Sequence, residues 1–436
     1  MDRRSFLKTS AIGGSAAAAS AALALSLSAC GGDATTGPQF AGGSSEAAPG
    51  SEAEGDGATE AESSGGGGES DESGDESVLL DTLPSGTTGG WDEIPTTCDA
   101  SEFLASSVGC VFYAIELDHL MVGAGESSPF GISVHNLQLA SDAEVVLEAR
   151  DGASWATVAS EWVAAGEVVT FTPEMIVQFG SGLSVGSALR VSSDVPVIAF
   201  QYSPLELDEE AYSSDASMLL PVSAWEDVYQ VISWGGACSP IMLDPATEGA
   251  RAYITVVAAH DDTPVTITPS VATAAGPGVA AGGPDMPIEV ILDAGDAVEV
   301  AAQYWKVSMG GTLVHAPEDK PVAVFTGHQC ANAPEISGAC DHLEEQLSGV
   351  HQWGSEYVVM RPAVRWLAPP DPYVVQIYAS EDDTSIVIDA PTGVVGLPAS
   401  PLNLDAGETA EFLVELESLD EFGDFHVSAN HPISVA

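Results

Sequence analysis

Laid against itself, this sequence returns to the same landmarks in the same order three times. The first is an apolar strand, an acidic turn and a second alternating strand. It reads GISVHNLQLASDAEVVLEA from Gly131, ARAYITVVAAHDDTPVTITPS from Ala250 and PYVVQIYASEDDTSIVIDA from Pro372. Asp142, Asp262 and Asp383 hold the turns, about 120 residues apart. Aspartate suits that place because its side chain caps the backbone of a tight turn. The second is an Ala-Gly pair plus an acid before a strand, at Ala165-Gly166-Glu167, Ala294-Gly295-Asp296 and Ala406-Gly407-Glu408. The glycine can take positive φ at the strand entrance. The third reads as a hairpin whose return strand opens with proline, at Pro196, Pro321 and Pro432. Proline at the first residue of a strand loses no ladder hydrogen bond. A W-x-x-x-Y spacing, Trp225 with Tyr229 and Trp353 with Tyr357, opens each next copy.

Helix-period patterns are scarce between these landmarks. Alternating β-branched runs bounded by Gly, Pro, Asp and Asn are common, so the chain is expected to be all-β. A repeat of roughly 110–125 residues is too long for a propeller blade or a solenoid rung and suits a sandwich. The expectation is three tandem β-sandwich-like repeats at 91–215, 216–340 and 341–436. The third is read as incomplete. It stops inside its proline-initiated strand, as a truncated reading frame would, and that leaves an unpaired edge.

The N-terminus reads differently. Arg3-Arg4 followed by Phe6, Leu7 and Lys8 resembles a twin-arginine export motif, with Asp2 where Ser or Thr is usual. An Ala/Gly/Ser/Leu stretch follows and ends Leu27-Ser28-Ala29-Cys30, which resembles a lipobox. Residues 1–30 are therefore expected to be a signal peptide and Cys30 the lipidated residue. That implies a membrane partner through the lipidated N-terminus, and a place in the cell envelope, at an outer membrane or the cell surface. Residues 31–90 read as a disordered acidic Gly/Ser/Glu-rich linker, because the composition cannot bury enough apolar surface to offset chain entropy. A flexible linker of about 60 residues spans about 45 Å.

Net charge is −55. After the signal only Arg150, Arg190, Arg251, Lys306, Lys320, Arg361 and Arg365 are basic. Nucleic acid is excluded as a partner, because phosphate binding needs clustered Lys and Arg. In an oxidising compartment Cys98 with Cys110, and Cys330 with Cys340, read as short-range disulfides, and Cys238 is left over.

The run GTLVHAPEDKPVAVFTGHQCANAP, then GACDHLEEQL and WGSEYVV, resembles the IgGFc-binding protein N-terminal domain family. So do SMLLPVSAWEDVYQVISW and ITVVAAHDDTPVTITPS. The resemblance runs from about Cys98 to the end. It implies a non-enzymatic binding or adhesion module with an extracellular protein or glycan ligand.

Reactive side chains concentrate at His328, Cys330, Cys340, Asp341, His342, Glu344 and Glu345. Two Cys and two His could complete a zinc shell, though the spacing is not that of a zinc finger. The acidic turns at Asp262 and Asp383 could ligate calcium, the one cofactor considered, though neither follows an EF-hand. The chain has no G-x-S-x-G, no H-E-x-x-H and no phosphate loop, so no catalytic residue is assigned. The competing expectations are a metal-assisted extracellular hydrolase working through His328 and His342, and a structural calcium-binding envelope protein.

Overall fold

The computed structural model describes residues 94–103, 106–119, 129–174, 180–205, 213–236, 249–335, 340–363, 371–417 and 423–436. The export signal, Cys30, the 31–90 linker, Cys238, Arg365 and Trp366 lie outside them. Within this range the regular secondary structure is nearly all strand, as its alternation predicts.

The first sandwich comprises β1 (Gly109–Ala114), β2 (Gly131–His135), β3 (Ala143–Asp151), β4 (Ser154–Val163), β5 (Val168–Phe171), β6 (Gly182–Ser184), β7 (Leu189–Ser203) and β8 (Asp215–Leu219). The second comprises β9 (Val228–Gln230), β10 (Ala252–Ala258), β11 (Thr263–Thr268), β12 (Ile288–Leu292), β13 (Ala297–Ala301), β14 (Leu313–His315), β15 (Val322–Ala331) and β16 (Asp341–Gln346). The third comprises β17 (Gly354–Val359), β18 (Tyr373–Ala379), β19 (Thr384–Asp389), β20 (Val394–Val395), β21 (Leu402–Leu404), β22 (Thr409–Leu416) and β23 (Phe425–Val435).

Each sandwich pairs its strands the same way, always antiparallel. In the first, β4–β3–β7–β1 and β5–β2–β7–β8 share the long strand β7. In the second, β12–β11–β14–β9 faces β13–β10–β15–β16. In the third, β21–β19–β23–β17 faces β22–β18–β23. The eighth strands β8 and β16 hydrogen-bond to the sheets before them. The divisions at 215/216 and 340/341 therefore move a few residues later, into the connections before β9 and β17.

The aligned prolines correct the hairpin reading. β7 pairs with β1 and β3 mainly through Leu189–Ser193, and with β2 and β8 through Ile198–Ser203. β23 pairs with β19 and β17 mainly through Phe425–Ala429, and with β18 through Ile433–Val435. Pro196 and Pro432 therefore lie inside one strand, where it leaves one sheet for the other. Only Pro321 stands just before a separate strand. A residue without an N–H is tolerated at a sheet corner because the ladder is already interrupted there.

The W-x-x-x-Y spacing fastens that corner. The Tyr229 hydroxyl accepts from Glu226 N–H at 2.9 Å and donates to the Val322 carbonyl at 2.7 Å. The Tyr357 hydroxyl accepts from Gly354 N–H at 3.0 Å and donates to the Ile433 carbonyl at 2.7 Å. In both copies the acceptor is the residue after the aligned proline.

Packing joins the first two sandwiches and leaves the third with a core of its own. Ala252, Ile254, Val256 and Ala258 of β10 face the interior of the second sandwich. Tyr253 and Val257, with Ala297, Ala301, Ala323 and Phe325, pack into the core of the first. Both faces of β10 are thus covered, which is why it reads as an apolar run rather than an alternation. The β8 and β16 edges run side by side. Ser213 Oγ, Asp215 Oδ2 and Ser217 Oγ accept from the N–H groups of His342, Glu344 and Gln346 at 2.6–2.8 Å. β6, from the first sandwich, adds to the β13 edge of the second. The third sandwich closes on its own cluster around Ile377, Val414, Val427 and Ile433.

Candidate functional site: the acid and histidine layer of the first joint

The reactive segment predicted from sequence lies where the first sandwich meets the second. Cys330 and Cys340 form a disulfide, as do Cys98 and Cys110. Neither Cys330 nor Cys340 is therefore a thiolate, so the two-Cys, two-His zinc shell does not form. The Cys330–Cys340 bridge holds β15 against β16 beyond their regular ladder, which is interrupted between His328 and Ala331.

Hydrogen bonds fix both histidine tautomers. His328 Nδ1 accepts from Cys330 N–H at 3.1 Å, so in the neutral ring Nε2 carries the proton. His342 Nδ1 lies 3.1 Å from the His328 carbonyl, which can only accept, so Nδ1 is the donor. Both rings are almost wholly buried. Burial pushes His328 down to about 3, helped by His342, and His342 down to about 4, against the opposing charge of Asp215.

Around them lie Glu344, named in the sequence, and three acids that the sequence reading passed over. Glu116 and Asp118, in the chain leaving β1, and Glu299 on β13 and Glu344 on β16 are each 1–3 % exposed. Asp118 Oδ2 accepts from Gly180 N–H at 2.9 Å and from the Gln329 amide at 2.7 Å. Burial nevertheless pushes its carboxyl up to about 7. Glu116 is pushed up to about 7 by burial and by Glu344. Burial holds Glu299 well above the carboxylate range, with Asp118 adding to it. Burial and the charge of Asp215 do the same for Glu344. At the 3.6 Å approach of His342 Nε2 to Glu344 Oε2, burial disfavours the charged form of both groups. Tyr253 stands among these acids, packed on Gly327, where a Cβ would fall 2.3 Å from its ring. Thr255 faces Glu299 directly across the β10–β13 ladder.

Burial thus disfavours the charged form of every acid and histidine in this layer. Among the described residues, no three His, Cys, Asp or Glu side chains converge at metal-holding spacing. The signal that could have revealed the layer is present in the sequence. Glu116, Asp118 and His119 interrupt an otherwise apolar run, and Glu299 is a lone acid in the apolar strand AVEVA.

Asp262 and Asp383 sit elsewhere, in two copies of one backbone clasp. Each takes positive φ, at 54° and 57°. Asp262 N–H donates to Asp293 Oδ1 and Ala294 N–H to Asp261 Oδ1. Asp383 N–H donates to Asp405 Oδ1 and Ala406 N–H to Asp382 Oδ1. Gly295 and Gly407 enter their strands at φ 86° and 82° and donate to Ala258 and Ala379. The first sandwich keeps the glycine half, with Gly166 N–H donating to the Asn136 carbonyl. Asp142 lacks the positive φ of its counterparts because the connection from β2 to β3 is longer. Lys320 Nζ donates to the carbonyls of Asp261 and Asp262 at 2.9 Å, further tying the second clasp. The carboxylates of Asp261, Asp293, Asp382 and Asp405 accept backbone N–H groups, whereas Asp262 and Asp383 enter the clasp through their backbone N–H.

A cavity of about 480 Å³ opens beside the Cys98–Cys110 bridge, lined by Tyr113, Arg190, Val222, Ser223 and His260 among others. Arg190 is already engaged. It binds Glu148 at 2.7 Å and lies 4.3 Å over Trp155, whose ring Arg150 also approaches. Arg150 in turn pairs with Asp261 of the second sandwich at 2.8 Å.

The fold and this joint define an all-β protein of tandem sandwiches with a buried titratable seam between the first two. The family model described as IgGFc binding protein matches residues 215–436, from the first residue of β8 through the third sandwich, and the chain belongs to that family. Neither the search of curated proteins nor that of solved structures returned a match.

Proposed function

We propose that this chain is a non-enzymatic binding protein, tethered to the cell surface by a lipid on Cys30 and presenting its sandwiches to an extracellular protein or glycan. The family match carries the binding part of the reading. The twin-arginine and lipobox motifs and the acidic linker support the tether and its place at the envelope. The burial of His328 and His342 inside a joint weighs against the hydrolase alternative, since a catalytic pair must reach substrate. The clasps give the neighbouring acids Asp293 and Asp405 a structural role as acceptors of the Asp262 and Asp383 N–H groups. Binding surfaces are then expected on loops and edges rather than in a deep cleft.

The test is saturable binding of the full chain to intact cells and to glycoprotein and polysaccharide surfaces. Saturable, competable binding is expected. Absence of binding to every surface, in both low and high salt, would defeat the reading.

A further inference from the structure

We propose that the edge of β5 left uncovered by the described residues of the first sandwich docks an extended, basic segment of a partner protein. The proposal deepens the binding reading and rests on it. Three copies of one edge are available for comparison, because β5, β13 and β22 hold the same place in their sheets. The β13 edge is covered by β6, with Ala297 opposite Ser184 and Glu299 opposite Gly182. The β22 edge is covered by β20, with Leu416 opposite Val394 and Glu415 opposite Val395. Both covers are short, extended and antiparallel. β5 pairs with β2 on one side and, among the described residues, with no strand on the other.

The neighbouring edge, β4, is guarded and β5 is not. The β3–β4 register shifts between Leu147 and Glu148, which leaves Val158 as an extra residue. Glu161 lies opposite the buried Val145, so a charge sits on the core-facing side of that edge strand. A bulge and an inward charge are the devices that prevent strand addition. β5 carries neither. Trp162 and Val168, on either side of the turn leading into β5, are 66 % and 56 % exposed.

Charge selects the occupant. No Lys or Arg occurs between Arg150 and Arg190, and Glu161, Glu167 and Glu174 are exposed along the approach to β5 and just beyond it. A second copy of this chain would bring a net charge of −55 to the same place and be repelled. A strand carrying Lys or Arg would be attracted, and main-chain hydrogen bonds would supply the rest, as in other strand additions.

The full chain would be titrated with three eight-residue peptides: alternating Val-Lys, alternating Val-Glu, and Val-Lys with alternate amides N-methylated. Hydrogen exchange would be read across β5. The Val-Lys peptide is expected to bind at least about tenfold more tightly than the others and to slow exchange at Val168–Phe171. Val168→Lys should weaken it by about tenfold at unchanged melting temperature. Equal binding of the Val-Glu or N-methylated peptide would overturn the proposal, and so would protection elsewhere. Concentration-dependent dimers protected at β5 would overturn it in favour of a second copy. Surface binding without any Val-Lys binding would sink this proposal alone. Failure of both assays would sink the binding reading as well.

Discussion

Where the second sandwich meets the first, it presents Tyr253, Thr255, Glu299 and Phe325 to another sandwich's core and buries acids and histidines with them. Where it meets the third, the hydrogen bonds narrow to Tyr378 and Gln376 on Ser233, with Gly310 against the Tyr378 hydroxyl. The same topological unit thus makes two different joints. The first shares a core and buries titratable groups. The second is a short set of neutral hydrogen bonds between cores that close separately. A repeat architecture need not be uniformly coupled, because coupling depends on which sheet face is apolar on its outer side.

The largest expected effect is on the shared core. Phe325→Ala should cost about 3–5 kcal/mol through lost burial and a cavity, and should lower the melting of the first and second sandwiches together. Calorimetry of the full chain would show it, with the third sandwich unmoved. Separate shifts in the first two would break the comparison.

The next effect is pH dependence confined to the first joint. Glu116, Asp118, Glu299 and Glu344 keep their protons in the folded state above the ordinary carboxylate range. Their contribution is full below that range. It is lost as pH rises through about 7 for Glu116 and Asp118, and through the likewise raised values of Glu299 and Glu344. His328 and His342, lowered to about 3 and 4, act oppositely. Their contribution is present above the ordinary histidine value and lost as pH falls through 4 and 3. From about pH 5 to 6.5 the four acids outnumber the two histidines, and from about 6.5 to 7 the histidines no longer oppose them. Stability should therefore fall with rising pH, most steeply between about 6.5 and 7, at about 1.4 kcal/mol per pH unit for each uncompensated group, and the fall should ease above 7 as Glu116 and Asp118 ionise. Glu299→Gln should remove one group's share of the slope and raise stability at pH 8 relative to the parent. Denaturant melts at pH 5.5, 7 and 8 would check it. An unchanged slope would mean that Glu299 ionises freely.

The smallest effect belongs to the second joint. Tyr378→Phe removes a hydroxyl shared among Ser233 N–H, the Ser233 carbonyl and Gln376. It should cost about 1 kcal/mol, with no change in the pH profile.

Much of the fold was legible in the sequence. The acidic turns, the Ala-Gly-acid entrances and the W-x-x-x-Y strands are local devices, and each falls where its pattern placed it. The disulfides were legible for the same reason. The prolines were misread because a sheet-switching strand and a hairpin share one pattern of apolar runs around a Pro. The buried layer was half legible. His328 and His342 were singled out as candidate metal ligands, whereas Glu116, Asp118 and Glu299 were not seen. Those acids come from β1's exit and from β13, and only the packing of two sandwiches brings them to β16. Asp262 and Asp383 drew attention as acids, but their partners Asp293 and Asp405 lie on a turn 22–31 residues away.

The most direct test is scanning calorimetry of the full chain between pH 5 and 8. The account predicts two transitions. One, from the first and second sandwiches together, moves to lower temperature as pH rises; the other, from the third sandwich, stays in place. Three independent transitions, or a pH shift shared by the third sandwich, would contradict it.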